Sequence, residues 1–321
     1  MDQSLMLQMY RKMALINQFE AAMIRLFQDG RVPGFTHSCQ GQEAVPVGIC
    51  SALEAGDRVG ATHRGHGHIL AKGANPRPMM AEILGRIDGY CRGMSGELHI
   101  VDSAVGVVGA NGIVGAGIPI MAGAALADVL NETGNVSVTF FGDGATSEGT
   151  FAETLNIAAN WSLPMIFVCE NNHYAEYSAA KDTVAGDIWR RSEPYGIPGV
   201  LVDGQVVGDV YDAARTAVDR ARRGEGPTLI EASTYRWHGH VYGEDALIGA
   251  YRYREPSEVK KMRAERDPIR LHRDVCLGAG IADDDLSGID KAVRVEVDEA
   301  VEFALASPLP EPEQALQYLF E

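Results

Sequence analysis

Residues 136–172 read VSVTFFGDGATSEGTFAETLNIAANWSLPMIFVCENN. Two apolar runs, Val136–Phe141 and Met165–Glu170, predict buried strands, and residues 148–160 between them predict a helix. Strands joined by one helical crossover of this length are parallel neighbours. The turn Gly142-Asp143-Gly144 and the pair Asn171-Asn172 therefore stand at the carboxyl ends of adjacent strands, the edge at which open parallel sheets bind ligands.

The pattern continues on both sides. A helix over 117–132 leads into the first strand; after the second come a short helix near 187–194, a strand at Val200–Val202, a helix over 207–223 and a strand at Thr228–Ala232. Alternating strands and helices predict an α/β fold, a parallel sheet with helices on both faces. Met6, Met9, Met13, Ile16, Met23 and Phe27 recur at helical intervals, which predicts an N-terminal helix over about residues 1–30 with a packing stripe. A second helix is expected from about Gln42 to Glu54. Between Gly56 and Gly117 helical pieces alternate with loops dense in glycine and histidine: THRGHGH at 62–68, CRGMSGELH at 91–99 and GANGIVGAG at 109–117. From about 256 to 321 the chain reads as a charged helical extension. No repeat or low-complexity linker interrupts it, so one continuous domain over 1–321 is expected.

Composition narrows the function. The chain has 36 glycines in 321 residues, above the usual share of roughly 7%, so many tight turns are needed. Lysine and arginine total 28 against 44 aspartates and glutamates, a net charge of −16; a field of that sign repels phosphate backbones, and no nucleic-acid partner is expected. The five cysteines, Cys39, Cys50, Cys91, Cys169 and Cys276, form no CxxC pair, which fits a reducing cytoplasm rather than a disulfide framework or cysteine zinc site. No signal peptide is read at the N-terminus. The most apolar stretch, Ile113–Ala127, is broken by Pro119 and several glycines and is too short to span a membrane.

Asp143 and Asn172, brought to one point by adjacent strands, suit magnesium. Such a hard cation takes octahedral oxygen ligands and keeps phosphate oxygens among them. Gly144 and Ala145 open their backbone N–H groups to a diphosphate at the helix start. Either motif alone is also an ordinary turn or cap; their joint occurrence at this spacing makes the site.

The segment GDGATSEGTFAETLNIAANWSLPMIFVCENNHYA resembles the thiamin-diphosphate motif of the alpha subunits of the decarboxylating component of 2-oxo acid dehydrogenase complexes and of their acetoin dehydrogenase relatives. HSCQGQEAVPVG from 37, NGIVGAGIP from 111, TYRWHGH from 234 and ASPLPEP from 306 resemble further segments of the same family in the same order, so the likeness covers nearly the whole chain. The resemblance implies a thiamin-diphosphate-binding fold with helical N- and C-terminal extensions and a magnesium ion held by Asp143, Asn172 and the Tyr174 carbonyl. It also implies a diphosphate held by Gly142, Gly144, Ala145, Arg64 and His240, with His63 and Arg236 beside it. Gly112 and Val114 would offer backbone contacts to the aminopyrimidine, and His37, His66 and His240 would serve catalysis near the substrate. The implied reaction is cleavage of a short 2-oxo acid or of acetoin, with the acyl unit passed to lipoamide on a separate acyltransferase. The compact length leans toward the acetoin-type or bacterial pyruvate-type branch.

The sequence departs from the family where His63 replaces the tyrosine common before the diphosphate arginine, and where Ser95 and Glu97 replace small residues of a Gly-Gly-Ser-Met-His run. His63 and Glu97 point to a differently lined substrate pocket. After HGH the chain reads Val-Tyr-Gly-Glu-Asp, without the serine phosphorylated in animal pyruvate dehydrogenases.

Other classes fit less well. His63, His66 and His68, or His238 and His240, lack the helix-spaced pair and carboxylate base of a zinc hydrolase, and no G-x-S-x-G elbow is present. His68, His99, His173 and His272 read as structural. A two-subunit thiamin-diphosphate carboligase that does not use lipoamide, and a non-catalytic scaffold, remain as alternatives. Thiamin catalysis in this superfamily also needs a glutamate from a second α/β domain. One set of strand–helix units is visible here, roughly 110–232, so a beta subunit is expected to complete the site, most simply in an α2β2 heterotetramer.

Overall fold

Burial alternates along the central strands. In the computed structural model, which describes residues 1–249 and 252–317, Val138, Phe140, Ile166 and Val168 face one core cluster, whereas Phe141, Met165, Phe167 and Cys169 face another. That period of two, apolar on both sides, is the signature of a sheet covered on both faces.

Six parallel strands form that sheet: β1 (Arg58–Thr62), β2 (Val107–Asn111), β3 (Ser137–Gly142), β4 (Met165–Asn171), β7 (Gly199–Asp203) and β8 (Thr228–Ser233), in the order β2-β1-β3-β4-β8-β7. A small hairpin, β5 (Tyr174–Ala175) and β6 (Ser178–Ala179), follows β4. The helices are α1 (Gln3–Gln28), α2 (Ala44–Ser51), α3 (His66–Lys72), α4 (Pro76–Ile83), α5 (Gly117–Leu130), α6 (Gly149–Asn160), α7 (Ala180–Thr183), α8 (Val207–Arg222), α9 (Asp245–Ile248), α10 (Pro256–Glu265), α11 (Pro268–Gly278) and α12 (Asp283–Ala306). Residues of α1, α2, α3 and α8 build one core, and residues of α5 and α6 the other. The methionine stripe of α1 is buried at Met9, Met13 and Met23, and Val293, Val297, Ala300 and Ala304 of α12 close the same core.

The segment 56–117 differs from its reading as helical pieces and loops, since it contributes β1 and β2. RVGAT and VVGAN are short and carry glycine, which hides a strand in a pattern search. Gly60 is required by packing, because a Cβ there would lie 2.5 Å from Met121. The chain reverses its direction of sheet growth between β1 and β3, a topological switch point of the kind at which such sheets hold ligands. No helix among the described residues is long and apolar enough to cross a membrane.

Candidate active site

The carboxyl ends of β1, β2, β3 and β4 open into a cavity of about 390 Å³. Asp143 follows β3 in a short 3-10 turn, tied by the Thr146 hydroxyl donating to the Asp143 carbonyl at 2.7 Å. Its carboxyl is buried, and Oδ2 has no hydrogen-bond partner among the described residues. Burial pushes its pKa up to about 6, outweighing the opposite pull of Arg236. Gly144 must be glycine because a Cβ would stand 2.8 Å from that of Ala175 in β5.

Asn172, beyond β4, has its amide nitrogen on Gln42 Oε1 at 2.9 Å and accepts from the Tyr174 N–H at 3.2 Å. The adjacent-strand placement read from the sequence is therefore observed: β3 and β4 pair directly, and Asp143, Asn172 and Tyr174 line the same cavity. The Tyr174 phenol donates to Glu258 at 2.9 Å. Gly112, Val114, Gly142, Gly144 and Ala145 also line the cavity.

Arg236 lies behind this wall. Its side chain is fully buried; one terminal nitrogen donates to the Glu176 carbonyl, while Nε and Nη1 have no partner among the described residues. Burial lowers its pKa, with Asp143 among the groups that counter this. A buried carboxylate oxygen and two buried guanidinium nitrogens without partners are costly unless further ligands meet them. The donor set of carboxylate, amide oxygen and buried guanidinium suits a cation-bound diphosphate. Among the described residues no group of three or more His, Cys, Asp or Glu is arranged to hold a metal ion.

Arg64 lines the same cavity. Its terminal nitrogens donate to the carbonyls of Ser38 at 2.9 Å and His240 at 2.8 Å, stitching the loop after α1 to the loop after β8. Burial, then Arg236, lowers its pKa to about 9.

The histidines cluster. His37 lies 4.9 Å from His63 and 5.1 Å from His240, ring to ring, and all three line the cavity. Burial and then Arg64 hold His63 well below its ordinary value, and push His240 down to about 3. Both rings are neutral at physiological pH. His66 is outside the cavity lining, fully buried, with Nδ1 3.1 Å from Glu20 Oε1. Burial opposes its charge, but Glu20 and then Glu97 raise its pKa; Glu20 is lowered in return, where burial alone would raise it.

Sequence reasoning assigned no role to Glu20 or Gln42, and tied Glu97 to the substrate pocket without a partner. Glu97 accepts from His37 Nδ1 at 2.6 Å and from the His37 backbone N–H at 3.0 Å. Its departure from a small residue was the one available signal. His68 and His272, read as structural, bond to Glu170 and the Met6 carbonyl, each at 2.9 Å.

Residues 11–313 match the family described as the dehydrogenase E1 component. The chain is 44% identical over 318 residues to the alpha subunit of acetoin:2,6-dichlorophenolindophenol oxidoreductase from Cupriavidus necator, covering 98% of this chain and 94% of that one. The Bacillus subtilis protein of the same name is 44% identical over 313 residues, 96% and 91% of the two chains. The pyruvate dehydrogenase E1 component subunit alpha of Zymomonas mobilis is 39% identical over 315 residues, 98% and 88%. The chain thus belongs to the dehydrogenase E1 component family.

Proposed function

We propose that this chain is the alpha subunit of a thiamin-diphosphate-dependent dehydrogenase that cleaves acetoin or a short 2-oxo acid and hands the acyl unit to a lipoyl-bearing acyltransferase. The observation that carries this reading is the unpartnered Asp143 Oδ2 and Arg236 Nε and Nη1 at the carboxyl edge of the sheet. Asp143, Asn172 and the Tyr174 carbonyl would hold Mg²⁺. Gly142, Gly144 and Ala145 would admit the diphosphate to the turn after β3, with Arg236 supplying positive charge. Gly112 and Val114 would contact the aminopyrimidine through their backbone. When bound, thiamin diphosphate supplies a carbon nucleophile and electron sink for carbon–carbon cleavage. This chain's residues bind and orient it, while His37, His63 and His240 line the space for the substrate.

The relatives' designation as alpha subunits supports a beta subunit as partner. Ile113 and Val114, 68% and 52% exposed at the cavity rim, and Ile120, Leu130 and Trp161 on α5 and just after α6 offer apolar surface for it; surface of this kind marks interaction sites. An α2β2 heterotetramer is the simplest closed arrangement. Five free thiols suit a reducing cytoplasm. The test is turnover of acetoin and pyruvate with thiamin diphosphate, Mg²⁺ and an artificial electron acceptor, measured for the chain alone and with its beta subunit. Activity is expected only in the pair; comparable turnover by the isolated chain would contradict the reading.

A further inference from the structure

We propose that Glu97 is a positioning residue that holds His37 as the base for the hydroxyl proton of a vicinal hydroxyketone, and that the site thereby favours this substrate class over a 2-oxo acid. The inference rests on the function proposed above and names the substrate within it.

Glu97 Oε1 already accepts the His37 backbone N–H at 3.0 Å. A carboxylate oxygen accepts only, so the 2.6 Å contact with Nδ1 has the ring donating. In the neutral ring the proton then resides on Nδ1, and Nε2, which has no hydrogen-bond partner among the described residues, keeps its lone pair on a side chain that lines the cavity. Glu97 is itself held. Its other oxygen lies 3.7 Å from Nε2 of His66, whose Nδ1 meets Glu20. The loop that carries it is pinned by buried Glu82, which accepts from the N–H groups of Cys91, Gly93 and Ser95 at 2.8 to 2.9 Å. A carboxylate orienting a histidine is the arrangement by which a base is kept in the useful tautomer.

The surroundings favour an uncharged substrate. The groups facing His37 are Glu97, His63, His240 and Arg64. Arg64, the sole lysine or arginine among the described lining residues, has both terminal nitrogens on backbone carbonyls. Asp143, Glu148, Glu170 and Glu176 add negative charge to the lining. Four acidic side chains against one arginine make the lining net negative, which disfavours a substrate carboxylate, whereas a hydroxyl finds an acceptor at His37.

The chemistry separates the classes. In a vicinal hydroxyketone the bond between the carbonyl carbon and the carbinol carbon breaks, and its electron pair stays on the carbonyl side, where the cofactor accepts it. The hydroxyl proton passes to His37 Nε2 and the carbinol carbon leaves as an aldehyde. No oxidant enters this step; the two electrons depart later with acyl transfer to the lipoyl group or to a dye. A 2-oxo acid loses carbon dioxide with no hydroxyl proton to remove.

The experiment uses the complex with its beta subunit, loaded with thiamin diphosphate and Mg²⁺, on acetoin and pyruvate as probes. Glu97→Gln should lower the ratio of acetoin kcat to pyruvate kcat by about tenfold or more, within the range a positioned base contributes, and Glu97→Asp should recover part of it. Calorimetric affinity for Mg²⁺ and thiamin diphosphate should stay at the wild-type value. In chain labelled with ¹⁵N-histidine, Glu97→Ala, which leaves no side-chain acceptor, should abolish the fixed Nδ1–H signature of His37. An unchanged acetoin-to-pyruvate ratio, equal losses on both substrates, or an unaltered His37 tautomer overturns the proposal. Failure of the wild-type complex to turn over either substrate instead removes the function on which it rests.

Discussion

Buried polar atoms stand without hydrogen-bond partners on both sides of the cavity, Asp143 Oδ2 with Arg236 Nε and Nη1 on one and Glu20 Oε2, His66 Nε2 and Glu97 Oε2 on the other; on the histidine side, however, the carboxyls lie within ion-pair reach of His66, Glu20 at 3.1 Å and Glu97 at 3.7 Å. A folded chain rarely leaves buried donors and acceptors unmet unless something from outside meets them. The first set is therefore read as a receptor for a separate group, and the second as a device that fixes side chains. The same residue types serve both purposes; what separates them is whether the chain sets an ion-pair partner beside its buried carboxyl.

Substitutions on the two sides should fail in different ways. Glu20→Gln breaks a buried ion pair with His66 and replaces the charged acceptor of the Cys39 N–H and thiol by a neutral one. A loss of about 3 kcal/mol in urea unfolding is expected, because a buried partner is left uncompensated, with thiamin diphosphate affinity retained. The pH dependence follows from the two shifts. Glu20, lowered from 4.5, contributes stability above that value and loses it as pH falls through its folded pKa. His66, raised from 6.5, contributes fully below that value and loses it as pH rises through its folded pKa. The pair thus stabilises most between pH 4.5 and 6.5, and Glu20→Gln should flatten the stability curve there. A wild-type curve as flat as the variant's would remove the ion pair from the account.

Arg236→Met should do the reverse. Thiamin diphosphate affinity is expected to fall about tenfold, or ~1.4 kcal/mol, while the Tm of the cofactor-free chain holds or rises, since an apolar side chain replaces a buried and partly unpartnered charge. A lowered Tm with unchanged affinity would place Arg236 in the same class as Glu20.

Much of the receptor side was legible in the sequence, because it lies on consecutive strands with strong apolar runs: β3 and β4 bring Asp143 and Asn172 together as their spacing implies. The histidine side was not. Glu97 stands out only as an acid where a small residue is common, and its partner His37 is 60 positions away, a contact that only the closed fold creates. His66 was expected beside the substrate, yet it is fully buried behind Glu97. β1 and β2 escaped notice because glycines interrupt their apolar pattern, Gly60 of β1 being needed for close packing on Met121. Arg64 lines the cavity as its place in the sequence implies, but no linear pattern shows that its terminal nitrogens also join two loops through the Ser38 and His240 carbonyls.

Titration of thiamin diphosphate into the complex, with and without Mg²⁺, tests most directly whether the Asp143 side is built for an external group. Wild-type binding should require the cation, and Asp143→Ala, which removes the one charged ligand proposed for it, should weaken binding by about tenfold or more, ~1.4 kcal/mol per factor of ten, without loss of fold by circular dichroism. Equal affinity in a folded Asp143→Ala protein, or wild-type binding indifferent to Mg²⁺, would contradict the account.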